Sequence, residues 1–83
     1  MNEALGRHWA ANMRSQRIRR DNLDPELKGS GIDAMARALS VTPETVSRWE
    51  TGKLVPRDDR KIEIARYLGI DPRILFPLME IPS

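Results

Sequence analysis

Two places in this chain put a short oxygen-bearing side chain directly before a proline: Thr42-Pro43 and Asp71-Pro72. A threonine or aspartate in that position accepts hydrogen bonds from the open N–H groups of a helix start, and proline at the first helical position lacks only an N–H that would have no partner there anyway. Each pair therefore marks where a helix begins, and Gly52 and Gly69 supply left-handed residues suited to ending one. Apolar residues recur at helical spacing between these marks: Leu5, Trp9 and Met13; Ile32, Met35, Ala36 and Leu39; Val46 and Trp49; Ile62, Ala65 and Leu68. The pattern predicts helices over about 4–20, 31–39, 43–51, 57–68 and 72–76. Ser30 caps the second, and residues 21–29 form a break holding one short helical turn begun by Asp24 and Pro25. β-branched and aromatic residues are too sparse to drive a sheet. The expectation is an all-α fold of five helices in one 83-residue domain.

The same residues narrow the function. With no cysteine and one histidine there is no disulfide framework, no thiol nucleophile and no metal-ligand cluster, so no cofactor or metal is expected. Asp58-Asp59 and Asp24/Glu26 read as helix-start charges, and no glycine-rich phosphate loop is present, so neither an enzyme nor a small-molecule substrate is expected. The longest apolar runs are a few residues, and the N-terminus has no basic region followed by an apolar stretch, which points to a soluble cytoplasmic protein with no membrane partner. The net charge of +2 is unevenly placed, since the first twenty residues carry five arginines against Glu3 alone. That helix suits a polyanion, although a solvated cationic face reads equally well.

Three residues, Ser40-Val41-Thr42, join the second and third helices, which makes them a helix-turn-helix over about 31–52. The major groove of B-DNA is about 12 Å wide and admits one helix, whose first turns meet base edges while basic residues nearby hold phosphates. With Val46 and Trp49 turned inward, the third helix offers Pro43, Glu44, Thr45, Ser47 and Arg48 to such a groove. Arg48 can donate bidentately to guanine, Glu44 can accept from cytosine N4, Thr45 can present a hydroxyl or a methyl, and Pro43 can touch a thymine methyl. Thr42 reads as a cap that can also reach a phosphate, and Glu44 equally as a charge complementing the helix dipole. Arg14 adds a phosphate ligand from the first helix.

The run Met35-Ala36-Arg37-Ala38-Leu39-Ser40-Val41-Thr42-Pro43-Glu44-Thr45-Val46-Ser47-Arg48-Trp49-Glu50-Thr51-Gly52-Lys53 resembles the lambda-repressor-like, or Cro/Xre-type, helix-turn-helix proteins. Ala65-Arg66-Tyr67-Leu68-Gly69-Ile70-Asp71 and Leu75-Phe76 are similar to that family's fourth and fifth helices, so the likeness runs from Met13 to Phe76. It implies a five-helix fold and a sequence-specific transcriptional regulator, Cro- or repressor-like and of phage or prokaryotic type, with Pro43–Thr51 as recognition helix. A homodimer on double-stranded DNA would then read an inverted-repeat operator with half-sites about 34 Å apart. The resemblance also implies phosphate contacts at Lys53, Arg57 and the position held by Ile32, and a partly buried salt bridge between Arg17 and Glu50. Two departures stand out: Ile32 replaces the family's usual glutamine, and residues 21–30 exceed the usual connection by about eight. The longer connection is either slack or a partner-binding element. In the second case the chain would be an antitoxin or phage accessory protein whose fold mainly contacts protein. The apolar tail after Phe76, residues 77–83, is a dimer surface or a cover for the chain's own core.

Overall fold

A computed structural model describes residues 3–27 and 29–79. Five helices follow in chain order: α1 Glu3–Asn22, α2 Gly31–Leu39, α3 Pro43–Thr51, α4 Asp58–Leu68 and α5 Pro72–Leu75. The described residues contain no strand, so the architecture is all-α with five helices, as the sequence pattern predicts. Local chemistry sets most of the boundaries. The Ser30 hydroxyl accepts from the Ile32 N–H at α2, that of Thr42 from the Thr45 N–H at α3, and the Asp71 carboxylate from the Arg73 N–H at α5. Gly52 and Gly69 end α3 and α4 at φ 78° and 70°, left-handed values that cost glycine little. The turn between α2 and α3 uses Ser40 in the same region at φ 56°, where a Cβ is disfavoured.

Four boundaries and faces differ from the sequence reading. Helix α1 continues past Arg20 to Asn22, and the Leu23 N–H still bonds the carbonyls of Arg19 and Arg20. The helical turn expected at Asp24 is a bare turn: Asp24 Oδ1 accepts from the Glu26 N–H and the Asp24 carbonyl from the Leu27 N–H, without propagating into a helix. Helix α5 stops at Leu75, with Phe76 beyond it. Arg57 precedes α4 in an extended conformation, and the stripe that α4 buries is Lys61, Ile64 and Ala65, while Ile62 and Leu68 are half-buried. The rotation is possible because Lys61 takes its charge inside with company, Nζ lying 3.0 Å from Asp58 and 4.3 Å from the centre of the Trp9 ring.

The core gathers Trp9, Met13, Met35, Val46, Trp49, Ile64, Leu75 and Phe76, from every helix and the residue after α5. The start of the tail closes onto it. Phe76 meets Trp9 edge-on at 5.7 Å, the Trp9 Nε1–H donates to the Pro77 carbonyl at 2.8 Å, and Met79 is buried. Burying indole with its N–H satisfied keeps both the apolar area and the hydrogen bond. The tail thus turns Phe76 and Met79 onto its own core and leaves Leu78 exposed; its last residues, 80–83, lie outside the described ones. Helix α3, packed on α2 and α1, keeps one face open.

Candidate nucleic-acid interface

On α3 the residues split by side. Val46, Trp49 and Glu50 are buried; Pro43, Glu44, Ser47 and Arg48 are exposed; Thr45 is half-buried. The N-terminal turn, the part that enters a groove first, is shaped by its cap, in which the Thr42 and Thr45 hydroxyls share a 2.8 Å hydrogen bond beside the 3.2 Å bond from the Thr45 N–H. Thr45 is thereby tied into the cap. One turn on, Arg48 Nη2 donates to Glu44 Oε1 at 2.6 Å across exposed helix surface. A guanidinium has five N–H donors, so this bond orients Arg48 and leaves most of its fork available.

The buried side of α3 is anchored by charge. Arg17 on α1 donates through Nε to Glu50 Oε2 at 2.6 Å and through Nη2 to Glu50 Oε1 at 3.0 Å, and through Nη1 to Asp21 Oδ2 at 2.7 Å. The three side chains are 11%, 4% and 12% exposed, so the cluster is largely withdrawn from water. The hydrogen bonds that Arg17 donates to Glu50 hold its guanidinium above its ordinary range; burial pulls the other way, and Asp21 adds to the rise. The resemblance supplied Arg17 and Glu50 but not Asp21. The signal for Asp21 was present: an acid four residues after an arginine on one helix face.

The basic candidates fall at several places. Lys53 is exposed just after α3, where its N–H bonds the Arg48 carbonyl and fixes the loop. Arg57 is exposed before α4 and lines, with Thr45, Leu54 and Arg60, a shallow groove of about 280 Å³ beside α3. Arg60, absent from the sequence reading, donates to the Leu39 carbonyl at 2.7 Å and to Glu63, bracing the end of α2. Only the fold brings α4 to that carbonyl, so no sequence pattern announces it. Arg14 is exposed on α1 beside Ala11, Ser15 and Ile18. Ile32 is half-buried, its side chain has no donor, and its N–H is engaged by Ser30, so this position offers a phosphate only apolar contact. No group of residues suited to a metal ion occurs among the described residues.

A short α2, a three-residue turn and an α3 with one anchored and one open face define a helix-turn-helix protein. A helix-turn-helix family model matches residues 28–75, more than half of the sequence, and the chain belongs to that Xre-type, lambda-repressor-like family of DNA-binding regulators. No curated protein and no solved structure matches it. None of the described helices is long and apolar enough to cross a membrane.

Proposed function

We propose that this chain is a sequence-specific transcriptional regulator that reads double-stranded DNA with α3. The observation carrying the reading is the division of α3: Glu50 is held from behind by Arg17, while Glu44, Ser47 and Arg48 stand exposed on the opposite side near its N-terminal turn. A helix held rigidly from behind delivers its side chains to base edges with a fixed register, and base edges carry the sequence. In this reading Arg48 donates to guanine, and Glu44 aims it through their mutual bond or accepts from cytosine N4. Pro43 and the Thr45 methyl meet apolar edges, and Ser47 completes the set. Arg14, Thr42, Lys53 and Arg57 hold phosphates, with Ile32 as an apolar neighbour. The working form is a homodimer on an inverted repeat, the whole chain acting as one domain in the cytoplasm without cofactor.

The test is selection of duplexes from a random pool by the purified protein, at low and moderate salt, alongside Arg48→Ala. The expected outcome is enrichment of a palindromic motif with steeply salt-dependent affinity, about 0.9 decade lost per phosphate contact for each decade of salt. The Arg48 variant should lose preference at one base pair of each half-site. Recovery of no motif by the native protein would overturn the reading and favour a fold used chiefly to bind protein.

A further inference from the structure

The connection between α1 and α2 is long, yet its two ends meet. Asp21 lies in the last turn of α1 and Gly31 is the first residue of α2. A Cβ built on Gly31 would overlap the Asp21 carboxylate, falling on Oδ2, Cγ and Oδ1 alike. The backbone of α2 thus begins directly against that carboxylate, at the end of a helix where negative charge is favoured. The same Oδ2 receives the Arg17 Nη1–H, and Arg17 holds Glu50 on α3 with its other two donors. Asp21 Oδ1 is buried without a hydrogen-bond partner among the described residues, a cost accepted at this spot. Gly31 is itself buried and has no left-handed backbone, so close approach, and not backbone conformation, is what calls for glycine here.

Resting on the DNA-reading role of α3, we infer that Asp21 and Gly31 are positioning residues. Together they close the neck of the 22–30 excursion and fix the angle at which α2, and through it α3, leaves α1. Residues beyond the neck, such as Pro25 and Glu26, are exposed and take no part in the geometry.

The experiment is a double-mutant cycle of Gly31→Ala and Asp21→Ala, with Pro25→Ser/Glu26→Gln as the control beyond the neck. Three readouts are taken on the full chain: thermal midpoint, affinity for the selected duplex against a scrambled one, and the NMR resonance of the Arg17 Nε–H that reports its bond to Glu50. Gly31→Ala alone should lower the midpoint, shift the Arg17 resonance and reduce discrimination about tenfold, the size of a modest displacement of reading groups. In the Asp21→Ala background the overlap is gone, so the same substitution should be nearly silent in midpoint and resonance. The Asp21→Ala chain, with α2 unseated, should still fold but discriminate less well than the native protein. The control should match the native protein in all three. Equal cost of Gly31→Ala in both backgrounds, an unmoved Arg17 resonance, or native discrimination by Asp21→Ala would each overturn the inference. Should the native chain select no duplex, the DNA reading fails by itself, and the neck is still judged by the midpoint and the resonance.

Discussion

Helix α3 carries two arginine–glutamate pairs on opposite sides, with the same bond length and contrary duties. Glu50 faces inward to Arg17 at 2.6 Å and is 4% exposed; Glu44 faces outward to Arg48, also at 2.6 Å, and is 70% exposed. Distance therefore says nothing about what each pair does; solvent decides. Inside, neither charge finds water if its partner is lost, so the pair locks a position without being a large source of stability compared with an apolar alternative. Outside, water competes for both groups, and the pair is worth little to the fold, commonly below about 1 kcal/mol. That weakness is what recognition needs, since Arg48 can give up or share its partner for a base at small cost.

The largest effect should come from emptying the inner pair unequally. Arg17 serves two carboxylates, Glu50 and Asp21, so Arg17→Met strands both in a nearly dry site, whereas Glu50→Gln leaves the guanidinium with Asp21. Denaturant unfolding should show Arg17→Met losing about 3–5 kcal/mol, the range for a broken buried pair, with Glu50→Gln clearly milder. Equal losses would mean that Asp21 contributes nothing to the cluster, and losses near zero for both would erase the contrast between the two sides of α3.

The outer pair should answer in the opposite currency. Arg48→Ala and Glu44→Ala are each expected to leave stability within about 0.5 kcal/mol, as for exposed i, i+4 pairs. On the selected duplex, Arg48→Ala should cost about 1–3 kcal/mol of discrimination at one base pair, the worth of a bidentate contact. Glu44→Ala should blunt the same preference if the glutamate aims the arginine, and alter a neighbouring base pair if it reads cytosine itself. Fluorescence anisotropy on single-substituted duplexes separates these outcomes.

The contrast also explains what could be read from the sequence. Capping and proline chemistry acts within four residues, so Thr42, Pro43 and Gly52 announce the limits of α3 and Asp71-Pro72 the start of α5. The open face of α3 followed from Val46 and Trp49 by periodicity. The burial of Lys61 is opaque to the sequence because it depends on the Trp9 ring, and although the i, i+4 spacing of Asp21 from Arg17 is legible, its seat against the backbone of Gly31 is not. Ile64 lies off the stripe of Ile62, Ala65 and Leu68 that the spacing predicts, on a face that buries Lys61 as well. The Arg17–Glu50 pair came from family resemblance, its spacing of 33 residues being invisible to any local pattern. Periodicity finds which side is wet, but it does not find a charge that is dry.

A third pair, also at the surface, sharpens the comparison. Asp71 and Arg73 bracket the start of α5 at 3.2 Å, and Asp71 is a helix cap as well as an ion-pair partner, its Oδ1 accepting the Arg73 N–H at 2.8 Å. Hydrogen bonds from the Arg73 side chain and then its backbone N–H hold the carboxyl below its ordinary value. A carboxyl depressed in the folded state adds stability that is present above its unfolded value, near the usual aspartate range, and that is lost as pH falls through the folded one. Asp71→Asn keeps a capping oxygen but has no charge to titrate. The difference in thermal midpoint between the native chain and this variant should therefore be small and in the native chain's favour at neutral pH, and should close as the solution is acidified below about pH 4. A difference that persists in acid would assign the benefit to the cap's geometry alone. One that grew would require the carboxyl to be raised by folding, contrary to its two hydrogen bonds. Either result would set apart what an exposed carboxylate does for α5 as a charge from what it does as a cap, two roles that the Glu50 carboxylate, buried against Arg17, does not combine.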